Sequence, residues 1–408
     1  MTSPSQTAPA LDRVRAGALC AGCGACAALA PGGVEMAVSE AGFLRPRQTG
    51  PVDAGADAAI AAACPGLGQT VADGGRTDHP LWGPYLAMKT GWAADPDLRF
   101  KGSSGGALSA LLAWLIEAGE VTGALTNGAD PDRAAANRPR LVRSRAEVAE
   151  AAGSRYAPSA PLAALGLAAG EGPFAFVGKP CDAAALRAMQ ARDPSLAARF
   201  PVVLSFFCAG VPALSGGEAV IRALGFDPAA VAAFRYRGHG WPGRAVARTA
   251  SGEEAAMSYH ESWGGILAPR VQHRCKLCAD GTGVAADIVC ADAWETDAEG
   301  YPLFEEAPGV SLIVARTEKG AALLARAEAA GALLTETFDP APLAAMQPGQ
   351  TRRRQALAAR LLGQRLLGRP APRYRGLGLW RAARTGSLRW SLRNLAGMLR
   401  RGIRGRPE

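Results

Sequence analysis

Three cysteines spaced two residues apart near the N-terminus constrain this chain more than any other feature of its sequence. Cys20, Cys23 and Cys26 lie in the segment CAGCGAC, whose small intervening residues let the backbone bend tightly around a shared centre. Cys64, which is followed by Pro65, offers the fourth ligand. Three cysteines at this interval with a distant Cys-Pro have ferredoxin-like spacing. Zinc sites more often use paired cysteines, so the pattern favours a 4Fe–4S cluster over zinc or unliganded thiols.

A second set of thiols is dispersed along the chain: Cys181, Cys208, Cys275 and Cys278. The first two directly follow the apolar runs PFAFVG (173–178) and PVVLSFF (201–207), which predict strands. Because parallel strands place their carboxyl ends at one edge of a sheet, where ligands bind, these two thiols are expected to lie together. The Cys-Lys-Leu-Cys pair could complete a cage of four thiolates. Spacing alone also allows two buried core thiols beside a zinc or redox pair.

Short apolar runs that alternate with helical patterns predict an α/β fold class with parallel strands. SLIVAR (311–316) is a further predicted strand, and the hairpin pattern over 245–259 indicates that the sheet is mixed. Cys290 lies within an apparent strand and is expected to be a buried thiol outside both ligand sets. The predicted domains are a ferredoxin-like module (1–80), an α/β core (81–345) and a basic helical tail (346–408).

A glycine-rich loop precedes a strong helical pattern in KGSSGGALSALLAWLIEAG. Ser103 or Ser104 is expected to cap this helix, while Gly105 and Gly106 would let a ligand approach its first-turn amides, which favour an anion. The segment matches neither G-x-G-x-x-G nor a P-loop, and a capped helix with no ligand is equally compatible with it. A second candidate segment consists of Ser154, Arg155 and Tyr156. It offers a hydroxyl, a cation and an aromatic ring to a flavin or its phosphates, or else forms an ordinary surface turn.

Positive charge is concentrated at the C-terminal end. Residues 351–408 contain sixteen arginines and one acidic residue, so the net charge of +9 belongs to this stretch and the remainder is mildly acidic. The uneven charge gives less support to a general nucleic-acid-binding function, and no specific nucleic acid is expected as a partner. Leucines recur at helical spacing among arginines over 387–404 and predict an amphipathic helix. Such a helix could lie on an anionic membrane surface or on an acidic partner, bind nucleic acid nonspecifically, or belong to a disordered or loosely packed tail.

The sequence contains no apolar run of about 18 residues, so a membrane-spanning helix is not expected. The first residues also lack the apolar segment of a signal peptide. We therefore predict a cytoplasmic location, with peripheral contact at the inner membrane face through the basic tail. In that compartment, clustered thiols are more often metal ligands or redox groups than structural disulfides.

Six short motifs follow one another in order: Lys101–Gly106, Gly153–Tyr156, Gly178–Cys181, Phe206–Cys208, Arg274–Cys278 and Ala286–Asp292. Together they resemble the coenzyme F420 hydrogenase/dehydrogenase beta-subunit family, which also contains the 7-hydroxymethyl chlorophyll a reductases. The resemblance implies an FAD-binding core with one 4Fe–4S cluster, and a second cluster where a ferredoxin-like segment is added. By position, the four dispersed cysteines match the family's cluster ligands. The glycine-rich loop and the Ser-Arg-Tyr segment match regions that line the flavin.

The chain departs from the family pattern at three places. The usual Gly-Thr-Pro-Cys contains Lys179 here, and a common Gly-Asp-Phe-Trp is Ala-Asp-Ala-Trp over 291–294. Divinyl chlorophyllide reductases carry a tryptophan-containing segment where this chain has Ser-Ser-Gly-Gly, which counts against that activity. No residue indicates the use of coenzyme F420 itself.

The expected function is an iron–sulfur flavoenzyme that passes single electrons between an external donor, such as ferredoxin or a redox partner subunit, two clusters and FAD. A small substrate then gains or loses two electrons. Lys179 and Arg155 are candidate catalytic residues that would stabilise an anionic reduced flavin, while His239 and His260 are candidate proton donors. A non-catalytic electron-transfer subunit and a zinc-stabilised binding module are the alternatives.

Overall fold

The computed structural model describes residues 8–170, 172–294, 297, 303 and 305–404. The elements around the N-terminal cysteines are α1 Pro9–Ala16, α2 Ala25–Leu29, β1 Val34–Val38, β2 Leu44–Gln48, α3 Ala54–Ala63 and β3 Gly68–Thr70. Strands β1 and β2 pair as an antiparallel hairpin. The Asp53 carboxylate caps α3 by accepting from the Ala56 amide at 2.7 Å. Asp57 accepts from the Ala10 amide at 2.9 Å, which joins α3 to α1.

The central region alternates strands and helices. Its first half comprises β4 Thr77–His79, β5 Gly83–Tyr85, β6 Ala87–Ala93, α4 Pro96–Lys101, α5 Ala107–Glu117, β7 Gly123–Asp130, β8 Arg133–Val142, α6 Arg145–Glu150, β9 Phe174–Gly178 and α7 Pro180–Gln190. Its second half comprises α8 Pro194–Arg199, β10 Val202–Phe206, α9 Leu214–Ala223, β11 Val231–Arg235, β12 Arg244–Thr249, β13 Glu254–Ser258, α10 His273–Lys276, β14 Ile288–Asp292, β15 Ser311–Ala315, α11 Glu318–Ala329 and β16 Leu333–Thr337. Short 3-10 helices span Pro161–Ala168, Pro228–Ala230 and Ala268–Arg270, and a π-helix spans His260–Leu267.

An eight-stranded sheet forms the centre of the molecule, in the order β16-β6-β15-β14-β10-β9-β7-β8. The inner strands β14, β10, β9 and β7 are parallel, whereas the outer strands pair antiparallel. The mixed α/β class is therefore confirmed, as are the strands predicted at 173–178, 201–207 and 311–316. The predicted hairpin is present, but it belongs to a separate sheet, β11-β12-β13, so it is not what makes the main sheet mixed.

Helices cover both faces of the inner strands. Every residue of β9 is buried, with Ala175 and Val177 packing beneath α5 and α11, and Phe174 and Phe176 packing against α7. Burial on both faces explains why these strands are continuously apolar in the sequence. The parallel pairing of β9 and β10 places their carboxyl ends at one edge of the sheet, where Cys181 and Cys208 follow.

The arginine-rich segment folds onto the rest of the chain as α12 Leu343–Met346, α13 Pro348–Leu366, β17 Arg373–Arg375, α14 Leu379–Arg384 and α15 Leu388–Ile403. The amphipathic helix predicted over 387–404 is confirmed as α15. Strand β17 pairs with β3, and the buried Arg354 guanidinium donates to the carbonyls of Pro80, Ala279 and Leu377. This segment is therefore packed against the core rather than loosely attached. None of the helices in the described ranges has the length and apolar character needed to cross a membrane.

Candidate functional site

The four N-terminal cysteines Cys20, Cys23, Cys26 and Cys64 line one small cavity. The loop curls because Gly22 and Gly24 adopt φ values of 74° and 87°, in the left-handed region that favours glycine. A side chain at Gly24 would also meet the Ala163 amide nitrogen at 2.6 Å. The Gly22 amide donates to Cys20 Sγ at 3.3 Å, so the backbone supplies a hydrogen bond to sulfur.

Burial and mutual repulsion disfavour charge on these thiols while they have no cation. Burial, followed by the charges of Cys20 and Cys64, raises the pKa of Cys26 to about 12. Burial and the charge of Cys20 raise the pKa of Cys64 to about 11. Thiolates at these positions therefore require bound positive charge, which iron supplies in a cluster.

The dispersed cysteines converge at the carboxyl edge of the sheet. Burial and the charge of Cys275 raise the pKa of Cys208 to about 12, and Cys278 also contributes. The pKa of Cys181 is raised well above its usual value by burial and then by Asp182. The Val211 amide and the Gln272 side-chain amide donate to Cys275 Sγ at 3.4 and 3.5 Å.

The two thiol groups are neighbours. Cys23 is close enough to Cys181 for its charge to raise the pKa of that thiol. Arg274 lies between the groups: it is 4% exposed, and its guanidinium donates to the Pro65 carbonyl at 2.6 Å. Its Nε and Nη1 atoms have no hydrogen-bond partner among the described residues. A buried cation left partly unsatisfied beside thiols of both groups fits an anionic iron–sulfur centre.

A single metal ion would need its ligands to lie closer together. Within residues 8–404 as described, no three His, Cys, Asp or Glu side chains converge closely enough to hold one ion. A zinc ion gathers four ligands on one atom, whereas a four-iron cluster takes one thiolate at each iron and spreads its ligands wider.

A larger cavity of about 300 Å³ opens beside the core thiols. Its walls include the sequence-predicted residues Ser103, Ser104, Gly106, Ser154, Arg155, Tyr156, Lys179 and Cys208. Residues of the first turn of α5, at the N-terminus of this helix, also line it. The volume lies within the range of small-molecule sites. The structure thus brings the candidate flavin residues other than Gly105, together with one candidate cluster ligand, to a single cavity.

The glycine-rich loop is shaped by the protein's own packing, and the predicted serine cap is wrong. Gly106 is the N-cap of α5, and no side chain in the described part of the chain caps the helix. Ser104 Oγ instead donates to the Val310 carbonyl at 2.6 Å, while Ser103 Oγ accepts from the Ser154 amide. A side chain at Gly105 would approach the Gly91 carbonyl oxygen at 2.7 Å, so this glycine fits the loop against the sheet.

The two candidate catalytic cations are held by protein groups. The Arg155 guanidinium donates to the Asn137 side chain at 2.7 Å and to three backbone carbonyls, so it cross-links the cavity wall. Lys179 Nζ lies 2.7 Å from Asp182 Oδ2 and 3.0 Å from Ser159 Oγ. Burial alone would lower the pKa of Lys179, but the adjacent Asp182 carboxylate raises it above its ordinary value. Lys179 therefore stays charged at the cavity wall.

Neither candidate histidine belongs to the cavity. His239 and His260 are exposed, and the described residues that line the cavity do not include them. Their predicted role as proton donors has no support in this geometry.

Sequence reasoning missed an aromatic wall around a buried ion pair. Arg237 is 2% exposed and donates to both Asp292 oxygens, at 2.8 and 2.7 Å. Its guanidinium lies 4.7 Å from the ring centre of Tyr259 and 5.1 Å from that of Trp294, and Trp263 lines the same cavity. Asp292, at the end of the last motif, was the one sequence feature that could have indicated this wall. Its partner Arg237 is distant in the chain, so the ion pair itself could not be predicted.

Cys290 lies in β14 as predicted, is buried, and also lines the large cavity. Burial raises its pKa to about 12, so the thiolate fraction is very small at pH 8. We expect iodoacetamide at pH 8 to leave Cys290 unlabelled in the folded protein and to label it after denaturation, as peptide mass spectrometry would reveal. Rapid labelling in the native state would contradict this.

Two family models match this chain. The model described as coenzyme F420 hydrogenase/dehydrogenase, beta subunit, N-term, matches residues 88–166, and its counterpart for the C terminus of the same beta subunit matches residues 172–341. No curated protein matches. Among solved structures, a chain of the F420-reducing NiFe hydrogenase complex from Methanosarcina barkeri, studied by xenon derivatization, is 18% identical with a TM-score of 0.53. That alignment covers 70% of this chain and 96% of the other, and it indicates a shared fold. Because the two models together span more than half of the sequence, this chain belongs to the coenzyme F420 hydrogenase/dehydrogenase beta-subunit family.

Proposed function

We propose that this protein is an FAD- and iron–sulfur-dependent oxidoreductase that relays single electrons through two 4Fe–4S clusters to or from FAD. A small substrate of the coenzyme F420, tetrapyrrole or polysaccharide-precursor type would be reduced or oxidised by two electrons. The observation that carries the proposal is the position of Cys208, which belongs to the core thiol group and also lines the large cavity. A cluster held there and a cofactor in the cavity would be neighbours.

The proposed ligands of the N-terminal cluster are Cys20, Cys23, Cys26 and Cys64, and those of the core cluster are Cys181, Cys208, Cys275 and Cys278. FAD supplies the conversion between one-electron and two-electron chemistry, and the clusters carry single electrons. For FAD, the first-turn amides of α5 offer donors to phosphate, while Ser103, Ser154 and Tyr156 offer polar and aromatic contacts in the same cavity. The proximity of Cys23 to Cys181 supports transfer between the two groups.

The deciding experiment is anaerobic purification of the full chain, followed by an absorption spectrum, iron and sulfide analysis, and identification of the extracted flavin. We expect about eight iron and eight sulfide per chain, and FAD. About two zinc with neither iron nor sulfide would overturn the cluster assignment and leave a zinc-stabilised module. Clusters without flavin would overturn the FAD assignment.

A replacement of Arg274 tests whether the thiol groups hold anionic centres. This buried cation acts on thiols of both groups, among them Cys64 and Cys181. Removing it in Arg274→Met should disfavour the more negative reduced state and lower both cluster potentials. A redox titration followed by electron paramagnetic resonance measures this shift. Arg47→Gln, at an exposed arginine, is the control, and equal potentials in both variants would contradict the prediction.

A non-catalytic electron-transfer role within a larger redox complex is the second proposal. It is favoured by the likeness to a chain of a hydrogenase complex, since a complex provides further chains with which electrons can be exchanged. If the cofactor-loaded chain reduces a purified redox partner but no small molecule, this second function is supported and the enzyme function is not.

The redox partner and the cellular location of the protein are also proposals. We propose that a ferredoxin or a redox partner subunit exchanges electrons with the N-terminal group, and that the protein is cytoplasmic. Contact with the inner membrane face through the basic C-terminal helices is also proposed, because these helices expose both arginines and apolar side chains.

A further inference from the structure

The two longest helices of the C-terminal segment lie side by side. Arg360 Nε donates to Asn394 Oδ1 at 3.0 Å, and a side chain at Gly363 would lie 2.9 Å from the Met398 side chain. Contacts advance along both helices in the same direction, so α13 and α15 are parallel. The absence of a side chain at Gly363 lets the helices approach closely.

One stripe of α15 remains uncovered after this packing. Leu388, Leu392 and Ile403 are 74%, 56% and 79% exposed, whereas Asn394 and Met398 are buried. At about 100° per residue, the three exposed side chains fall within a sector roughly 60° wide, which is turned away from the buried side. The helix is therefore amphipathic, but its apolar stripe faces solvent rather than the core.

The neighbouring helix extends this stripe into a surface. Leu362 and Leu366 of α13 are 46% and 62% exposed, while Leu357 and Leu361 face the core. Because the helices are parallel and share one buried side, their exposed leucines lie on the same outer side. We call this surface the α13–α15 face: Leu362, Leu366, Leu388, Leu392 and Ile403.

The charge carried by the C-terminal segment itself has one sign. Residues 340–404 contain fifteen arginines and no aspartate or glutamate. Exposed arginines flank the apolar stripe on α15: Arg389, Arg393, Arg400 and Arg404. An exposed apolar surface of this kind, bordered by cations and free of acids, matches the boundary between the hydrocarbon and the headgroups of an anionic bilayer.

We propose that the α13–α15 face docks on the surface of an anionic lipid bilayer, with both helices lying in the plane of the interface. The leucines and Ile403 enter the acyl boundary, and each flanking arginine adds roughly a fivefold gain in binding through phosphate headgroups. Both helices lie outside the residues matched by the family models, so this surface is an addition to the shared core. It does not depend on the proposed redox function.

Vesicle flotation of the full-length, cofactor-loaded protein tests the proposal. Wild type is expected to float with vesicles of phosphatidylcholine and phosphatidylglycerol, to float weakly with phosphatidylcholine alone, and to lose binding as salt rises. Leu388→Asp combined with Leu392→Asp should reduce the bound fraction roughly tenfold or more. Arg389→Gln combined with Arg393→Gln should weaken binding to anionic vesicles roughly 25-fold while retaining the apolar contribution.

The control is Leu334→Asp, which changes a similarly exposed leucine on β16 and should float as wild type does. Equal iron and flavin contents and equal melting temperatures identify variants that have kept the fold. If wild type fails to float, or if the leucine variant floats as well as wild type, the proposal is overturned. Binding to an acidic protein without binding to vesicles would also overturn it.

Discussion

Replacing Cys208 by alanine is expected to remove about half of the iron and sulfide from the anaerobically purified protein. The side chain belongs to the core thiol group, and three thiols are insufficient to retain a stable four-iron cluster there. Cys23→Ala should remove the other half, because Cys23 belongs to the N-terminal group. Iron analysis and electron paramagnetic resonance of the reduced protein measure both losses.

Cys290→Ala is the matched control. Cys290 is also a buried cysteine beside the large cavity, but it lies outside both thiol groups, so full iron content is expected. Because Cys23 and Cys181 are neighbours, the reduced wild-type protein should show magnetic interaction between two centres, and either ligand variant should lose it. A full complement of iron in Cys208→Ala would contradict the assignment of the core ligands.

Replacing Lys179 by methionine is expected to destabilise the folded protein by about 3–5 kcal/mol, because it leaves the Asp182 carboxylate buried without its cation. Lys179 and Asp182 side chains are 8% and 0% exposed, and their Nζ–Oδ2 distance is 2.7 Å. The midpoint of urea unfolding, measured on protein of equal cofactor content, reports the loss. Adding Asp182→Asn should recover part of it, because the uncompensated charge is then absent.

Lys89→Met is the control, because it breaks the same kind of ion pair at a more solvent-exposed position. Lys89 and Glu328 are also 2.7 Å apart, but their side chains are 33% and 22% exposed. Water screens such a pair, so its loss should cost no more than about 1 kcal/mol. Equal destabilisation by the two methionine variants would mean that burial is not what makes the Lys179 pair important.

The sequence predicted the elements that depend on local patterns. Apolar runs located β9 and β10, and their parallel pairing placed Cys181 and Cys208 together as expected. The structural role of Gly105 was harder to predict. A side chain at this position would collide with the Gly91 carbonyl oxygen in the neighbouring strand β6, so only glycine fits. A contact of that kind appears only after the sheet has formed.

The remaining features depend on long-range contacts that no local pattern records. Arg237 pairs with Asp292 across 55 positions, and the two form one wall with aromatic rings from other segments. The basic character of the C-terminal segment was evident, but the burial of Arg354 was not, since a buried arginine looks like any other arginine in a sequence. Its partners are carbonyl groups, which carry no residue-specific signal.

The pairing of β3 with β17 has a consequence for synthesis of the chain. Residues 68–70 gain their strand partner only when residues 373–375 have emerged from the ribosome. At translation rates of about 5–20 residues per second, that interval lasts roughly 15–60 s. During it, the N-terminal thiols belong to an unfinished module. The N-terminal thiols therefore reach their final packing only when nearly the whole chain has been made.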